Sequence, residues 1–337
     1  MPRVSVVMAV YNGERFLRQA IDSILSQTYT DFEFIVVNDG STDSTCDILA
    51  SYQQVDQRLR LYDQENRGLI ASLNTGCGLA QGKYIARMDA DDISLPERLV
   101  RQVRHADAHP EIGVLGTWVE YIDECGAPRG TWRMPTSPGV VAWYLLFGNC
   151  LAHPSVLMRR DVIGQMGCYC PEALYAEDYD LWRRLSSVTH LANLPDVLLC
   201  LRRHGDSVSS THLAAQRDSS IKISQIAITE TLGEDVPLQL VQRLWAQQFQ
   251  TPSELLQMAR LIYGLCQESV SDSALSAAER RIIRSDAANR LLRLARPRIQ
   301  DARVWQVVGL ACRLDPWLVV RVAVSILHRM IREPVPS

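Results

Sequence analysis

The segment that decides the fold is GKYIARMDADDIS, residues 82–94, in which three carboxylates directly follow an apolar run. The apolar part is typical of a strand covered on both faces. Like charges as close as Asp89, Asp91 and Asp92 repel one another unless a cation lies among them. Carboxylates at a strand end suit a hard cation such as Mg²⁺ or Mn²⁺, which keeps open positions for phosphate oxygens. The segment predicts a divalent metal that holds a diphosphate; a solvated acidic loop is the alternative.

Strand and helix patterns alternate on both sides of this segment. A continuous apolar run at 4–10 indicates a buried strand, FEFIVVND at 32–39 indicates a second strand, and residues 59–63 resemble a third. Helical patterns separate them, with apolar positions spaced three and four residues apart between 16 and 25. This alternation predicts βαβ units in an α/β fold, with a mostly parallel, Rossmann-like sheet flanked by helices.

Polar clusters stand at the carboxyl ends of three predicted strands, at 11–14, 38–41 and 89–92. Ligands of open α/β sheets bind beyond these strand ends. We therefore expect the clusters to converge into one binding site, although each alone is also compatible with ordinary turn chemistry. Neither G-x-G-x-x-G nor a P-loop motif occurs, so a dinucleotide site and a P-loop are not supported.

Composition narrows the function classes. The 337 residues are 47% apolar, enough for one sizeable core and a smaller attached unit. A net charge of −3 gives no indication of nucleic-acid binding. The nine cysteines are scattered, and Cys168 and Cys170 lack a second pair at zinc spacing, which favours reduced cytosolic thiols. The apolar start is interpreted as a buried strand, and no run reaches the roughly 18 apolar residues of a spanning helix. We expect a cytoplasmic protein.

Four segments occur in an order that resembles the family 2 glycosyltransferases: VSVVMAVYNGERFLRQAIDSILSQTYTDFEFIVVNDGSTDST (4–45), ENRGLIASLNTG (65–76), GKYIARMDADD (82–92) and EDYDLW (177–182). The resemblance covers about residues 2–210. It implies an inverting enzyme with the GT-A fold, of the bacterial surface-polysaccharide type. The implied domains are a catalytic domain at 1–212, with a nucleotide-sugar part at about 1–110 and an acceptor part at about 111–212, and a helical C-terminal region at 213–337.

The resemblance also implies ligands: a nucleotide sugar, expected to be a UDP-sugar, a divalent cation (Mn²⁺ or Mg²⁺) and a glycan or lipid-linked acceptor. The implied residues on the nucleotide side are Ala9, Tyr11 and Glu14 along the pocket, Asp39 at the base, Arg67 near the phosphates and Asp89 at the ribose. For two of these the residues alone leave an alternative open. For Asp39 the alternative is a cap of the following helix. For Arg67 it is a surface arginine or a structural ion-pair partner.

The reacting groups follow from the same resemblance. Asp91 would ligate the metal, and His204 would contact the metal or the departing diphosphate. Asp178 would be the general base for the acceptor hydroxyl. The alternatives are a helix-dipole function for Glu177 and Asp178, since acids are favoured in a first helical turn, and an ordinary surface position for His204.

Two rival functions stay open on sequence grounds. Asp89 in an Asp-x-Asp motif is compatible with a metal-dependent phosphohydrolase, although that chemistry usually has the motif after the first strand and here it follows the fourth. A catalytically inactive nucleotide-sugar-binding protein is the other rival.

The C-terminal region is strongly basic. Residues 279–337 contain twelve arginines and five acids and include Trp305 and Trp317. A basic helical unit of this kind is suited to the surface of an anionic membrane, which would place the enzyme peripherally on the inner face of the cell membrane. The alternative is a helical unit that packs on the catalytic domain with its arginines in water.

Overall fold

The computed structural model describes residues 1–205, 212–295, 303–317 and 320. The chain divides into two compact units, residues 1–223 and 224–337. The polar loop expected after residue 205 and the tail beyond 320 lie outside the described residues.

Nine strands of the first unit form one sheet. Their bounds are β1 (Val4–Val10), β2 (Phe32–Asp39), β3 (Leu59–Gln64), β4 (Tyr84–Met88), β5 (Ile93–Ser94), β6 (Ile112–Ile122), β7 (Pro128–Trp132), β8 (Leu157–Arg159) and β9 (His190–Arg202). The helices that begin in this unit are α1 (Leu17–Leu25), α2 (Thr45–Val55), α3 (Leu69–Leu79), α4 (Arg98–Ala108), α5 (Pro138–Leu145), α6 (Arg160–Met166), α7 (Glu177–Ser186) and α8 (Leu213–Leu232).

The strand order is β3-β2-β1-β4-β8-β6-β9-β5, and β7 pairs with β6. The first four neighbours are parallel, as expected, with Val10 beside Asn38 and Met8 beside Met88. Beyond β4 the sheet is mixed, because β8 is antiparallel to both β4 and β6 while β6 and β9 are parallel. The carboxyl ends of β1, β2 and β4 therefore meet at one edge.

Burial explains why these segments become strands and helices. Every residue of β2 and of β4 is buried, as expected for strands covered on both faces. Helix α1 turns Leu17, Ile21 and Ile24 toward the core at the spacing that its sequence predicts. A Cβ at Gly76 of α3 would come within 2.5 Å of Val7, so this glycine lets the helix approach β1 closely.

The second unit is helical in its described part, with α9 (Leu238–Ala246), α10 (Pro252–Ser271), α11 (Ala277–Ala295) and α12 (Val304–Leu314) after the end of α8. Thr251 and Glu254 form a capping box at the start of α10. Trp305 and Trp317 are exposed, at 64% and 78% of their full surface. Among the described residues no helix has both the length and the apolarity needed to cross a bilayer.

Candidate active site

The three acidic side chains after β4 form a compact cluster. Ligand oxygens of Asp89, Asp91 and Asp92 lie within 4.8 Å of one another. His204, just beyond the end of β9, places its Nε2 2.9 Å from Oδ2 of Asp91, and its ring packs against Phe16. The structure therefore brings together the two residues assigned to the metal, from segments far apart in the chain.

Asp92 is the most deeply buried member of this cluster. Its Oδ1 accepts a hydrogen bond from the Arg202 amide at 2.7 Å, whereas its buried Oδ2 has no hydrogen-bond partner within the described part of the chain. Burial, reinforced by the charges of Asp91 and Asp89, raises the pKa of Asp92 well above its ordinary range. The cluster thus concentrates negative charge that a divalent cation would offset, and its oxygen and imidazole donors fit Mg²⁺ or Mn²⁺.

Arg202 holds the acidic loop against the rest of the sheet. Its Nε donates to the Asp91 carbonyl at 2.7 Å, and one terminal nitrogen donates to the carbonyls of Asp123 and Glu124 at 3.1 Å. The other terminal nitrogen donates to Gln19 at 2.8 Å. The guanidinium of this buried residue therefore positions Asp91. Arg202 is the last residue of β9, and His204 follows it two residues later.

Arg87 supplies a second cation, in the middle of the quoted segment. It is only 2% exposed on β4, and its guanidinium forms an ion pair with Asp89. The same charge favours the ionised forms of Glu177 and Asp178. We expected only a metal among the carboxylates. The signal for Arg87 was available, since a charged residue inside a strand buried on both faces requires a partner.

Asp178 stands in the first turn of α7 and is partly buried. Its Oδ1 accepts from the Tyr179 amide at 2.7 Å, and its Oδ2 accepts from the Asn149 side chain at 2.6 Å. Burial of the carboxyl, together with the charge of Glu177, raises the pKa of Asp178 to about 7. A carboxylate with a pKa near neutrality is suited to accept a proton at the pH of a cell.

The nearby acids differ from Asp178 in their partners. Asp180 forms an ion pair with Arg184 at 2.8 Å on the same helix, which suits a structural function.

Tyr169 is a further side chain near the expected base. It shares a hydrogen bond of 2.8 Å with His153 and lies within electrostatic reach of Asp178. Neither Tyr169 nor Asn149 was among the expected site residues.

The expected nucleotide side has a different character, because much of its polar chemistry holds loops together. The carboxylate of Asp39 accepts from the amides of Arg67 and Gly68 at 2.9 and 2.8 Å and from Gln64 at 2.8 Å. Burial opposes ionisation of Asp39, but these hydrogen bonds outweigh it and lower its pKa. Asp39 thus fixes the loop at Arg67 and Gly68 that leads into α3.

The loops after β1 and β2 are joined by reciprocal hydrogen bonds. Glu14 accepts from the Ser44 amide at 3.0 Å, and the Asn12 amide donates to the Ser41 hydroxyl at 3.0 Å. A Cβ on Gly13 would stand 3.8 Å from that of Ala90, so this loop also lies beside the acidic cluster. The expected convergence of the three polar clusters is confirmed.

The side chains of the other expected nucleotide residues lie at this edge of the sheet. Tyr11 is 53% exposed, Ala9 is partly buried near the end of β1, and Arg67 is exposed in the loop before α3. Their assignments stay predictions.

Comparison with known proteins identifies the class. Residues 5–167 match the family described as Glycosyl transferase family 2. The O-antigen biosynthesis glycosyltransferase WbnJ of Escherichia coli is 34% identical over 233 residues, which are 68% of this chain and 91% of that protein. The fold is that of a GT-A glycosyltransferase, and the expected α/β fold class is confirmed.

Two solved structures share this fold. S. aureus TarS, residues 1–349, in complex with UDP-GlcNAc superposes with a TM-score of 0.57 at 18% identity and covers 96% of this chain and 92% of its own. The mannosyltransferase PcManGT from Pyrobaculum calidifontis, in complex with GDP-Man and Mn²⁺, superposes with a TM-score of 0.52 at 18% identity. The match covers 94% of this chain and 87% of that one. The chain belongs to glycosyltransferase family 2 and is a glycosyltransferase.

Proposed function

We propose that this enzyme transfers a sugar from a UDP-sugar to a hydroxyl group of a glycan or lipid-linked acceptor, with inversion at the anomeric carbon. The observation that carries the proposal is the pairing of His204 with Asp91 at 2.9 Å within a cluster of carboxylates. Asp178, whose pKa is raised to about 7, lies in the same unit. The Arg87 guanidinium lies within electrostatic reach of both Asp89 and Asp178, which supports one shared pocket.

Asp91 and His204 would hold a divalent cation, Mn²⁺ or Mg²⁺, and the more deeply buried Asp92 belongs to the same cluster. When bound, such an ion acts as a Lewis acid toward the oxygens of a diphosphate. The unpartnered buried oxygen of Asp92 and the closeness of the three carboxylates support this assignment. The Mn²⁺ complex of PcManGT supports it by analogy.

The proposed chemistry at the acceptor belongs to Asp178. Its carboxylate takes the proton of the acceptor hydroxyl as that oxygen attacks the anomeric carbon from the face opposite the diphosphate. The hydroxyl oxygen forms the new glycosidic bond, the bond to the nucleoside diphosphate breaks with its electron pair, and the proton stays on Asp178. A positioned base is typically worth about 10²–10⁴ in rate.

The remaining assignments concern the donor and the type of product. Ala9, Tyr11, Glu14 and Arg67 would line the nucleotide pocket, with Asp39 at the base and Asp89 at the ribose. The UDP-GlcNAc complex of TarS supports a uridine nucleotide. The similarity to an O-antigen enzyme supports a surface polysaccharide as the product. We assign the catalytic domain to residues 1–212 and the helical C-terminal region to 213–337, in an enzyme of the cytoplasm.

A peripheral membrane contact through residues 279–337 is a second element of the proposal. On α12 the exposed positions Trp305, Gly309 and Arg313 follow one another at four-residue spacing, which places them on one helix face. Exposed arginines also occur at 281, 284, 293 and 303. Exposed tryptophan beside arginine suits the headgroup region of an anionic bilayer.

The test is incubation of the purified protein with a panel of sugar nucleotides in the presence of Mn²⁺ or Mg²⁺. Metal-dependent release of UDP from one UDP-sugar, lost in Asp178→Asn and in Asp91→Asn, supports the proposal. Release of phosphate from simple phosphoesters without sugar transfer would instead identify a phosphohydrolase, and donor binding without turnover in any condition would identify an inactive binder.

A further inference from the structure

Asn149 lies between α5 and the His153–Ser155 turn and contacts Asp178 directly. Its Nδ2 donates to Asp178 Oδ2 at 2.6 Å, although the two residues are 29 positions apart. The Asn149 Oδ1 accepts the Leu151 amide at 3.0 Å. Because an amide N–H can only donate, this second bond determines which end of the side-chain amide faces the carboxylate.

The helix that carries Asp178 is anchored to the same segment. The Tyr179 hydroxyl donates to the carbonyl of Leu145, at the end of α5. The Asp178 Oδ1 is held by the Tyr179 amide, so each oxygen of the carboxylate has one donor. Of these two donors, only Asn149 comes from outside α7, and it therefore sets the rotation of the carboxylate relative to the rest of the pocket.

We infer that Asn149 is the positioning residue of the catalytic base: it orients the Asp178 carboxylate toward the acceptor and favours the ionised form that accepts a proton. The inference rests on the proposed function, because it takes Asp178 as the base. A hydrogen bond from a neutral amide favours the charged carboxylate over the neutral acid.

The charged and titratable groups around Asp178 act in both directions. Burial and the charge of Glu177, beside it on α7, oppose its ionisation. The Asp178 charge in turn raises the pKa of Tyr169, in the loop before that helix. Arg87 on β4 favours the ionised form of Asp178. With these groups left in place, removal of the Asn149 donor should raise the pKa of Asp178, because the main favourable contact of Oδ2 is lost.

The experiment measures this titration without any acceptor. The protein is labelled with ¹³C at the aspartate carboxyl groups, and the Asp178 resonance is recognised by its absence in Asp178→Asn. In Asn149→Ala the midpoint should move upward by about one to two pH units, the size that a hydrogen bond to a charged group implies. In Asn149→Asp, which is nearly isosteric, the shift should be larger, because a second carboxylate replaces the donor.

A matched control comes from Asn193 on β9. This buried side chain donates to the carbonyls of Pro135 at 2.8 Å and Cys150 at 3.2 Å. Cys150 is next to Asn149 in sequence, but neither of these hydrogen bonds involves Asp178. Asn193→Ala should lower thermal stability as Asn149→Ala does and leave the Asp178 midpoint in place. An equal shift in both variants would mean that the effect is general loosening and would overturn the inference.

The pH profile of UDP release from a UDP-sugar that the enzyme turns over gives the second readout. The acidic limb should move upward in Asn149→Ala, with a loss of about five- to fiftyfold at pH 7 and recovery toward the wild-type rate at high pH. A loss of rate that is equal at all pH values contradicts the inference. An Asp178 titration midpoint that is the same in Asn149→Ala as in wild type contradicts it too. If Asp178→Asn itself keeps the wild-type rate, the proposed function fails instead, and the two failures are thereby distinguished.

Discussion

His204 and Asp91 meet at 2.9 Å across a sequence separation of 113 residues. The contact joins the loop after β4 to the segment after β9, and Arg202 strengthens the junction by donating to the Asp91 carbonyl at 2.7 Å. A histidine and a carboxylate that share an edge with two further carboxylates are a donor set for a divalent metal. The first predictions test that interpretation.

Asp91→Asn should abolish turnover and remove the metal-dependent part of UDP binding while the fold survives. The change is nearly isosteric and removes one anionic ligand. Calorimetric titration with UDP, with and without Mn²⁺, measures the effect. Asp161→Asn, an exposed acid in the first turn of α6, is the control and should bind as wild type. Undiminished Mn²⁺-dependent binding in folded Asp91→Asn protein would remove Asp91 from the metal site.

His204→Ala should weaken Mn²⁺-dependent UDP binding by about tenfold or more and slow turnover. The imidazole is one of the proposed ligands, and its loss also removes the contact that orients Asp91. His204→Phe keeps the packing against Phe16 without a nitrogen donor, so it separates loss of ligation from loss of packing. Wild-type affinity in both variants would remove His204 from the metal site and leave it a packing residue beside Asp91 and Phe16.

The nucleotide half of the fold could be predicted because its signals are local. Mostly apolar segments mark β1, β2 and β4, and the apolar spacing in α1 marks a helix that lies on a sheet. Parallel strands then bring their carboxyl ends to one edge, which is why clusters as distant in sequence as 11–14 and 89–92 could be expected to meet.

The acceptor side could not be predicted in this detail. Asn149 stands in an apolar segment with no periodic pattern, and its contact with Asp178 depends on how α7 docks. Arg202 donates to the loops after β4 and β6, which the pairing of β9 with β5 and β6 brings near it, and also to Gln19 of α1. Such long-range pairings leave no mark in the local sequence. Asp39 is a similar case, since its hydrogen bonds to the Arg67 and Gly68 amides join two loops that are far apart in the sequence.

The exposed tryptophans of the C-terminal region, Trp305 and Trp317, should bind anionic lipid. Replacing both Trp305 and Trp317 by Ser should reduce sedimentation with vesicles containing phosphatidylglycerol, because these side chains are exposed and available to the interface. Added salt should weaken the association further, since charge attraction is screened over about 8–10 Å near physiological ionic strength. Replacing the exposed Val55 of the first unit by Ser is the control. Wild-type protein that ignores such vesicles would favour the packing alternative.

Asp178→Asn should lower transfer by about 10²–10⁴ and leave the affinity for UDP and Mn²⁺ near that of wild type. The substitution keeps the size of the side chain but removes its ability to accept a proton. Asp91→Asn should lose both activities, so the two variants ought to differ in nucleotide binding. If Asp178→Asn loses nucleotide binding as severely as Asp91→Asn, Asp178 belongs to the donor or metal site.

The same substitution should stabilise the fold at neutral pH, because a base with a raised pKa costs stability when it ionises. The pKa of Asp178 is about 7 in the folded chain, against an ordinary value of 3.8. Between these values the folded state retains a proton that the unfolded state releases, so stability falls as the pH rises from about 4 to 7.

The asparagine of Asp178→Asn does not bind or release a proton in this pH range. The variant's free energy of unfolding relative to wild type should therefore increase by roughly 2–4 kcal/mol between pH 4 and pH 8, at about 1.4 kcal/mol per pKa unit. Urea unfolding at a series of pH values measures the difference. Asp180→Asn, which removes an acid that is ion-paired with Arg184 on the same helix, is the matched control. A constant difference between Asp178→Asn and wild type across this range would mean that Asp178 ionises near its ordinary pKa, and its suitability as a base at neutral pH would then lack its electrostatic support.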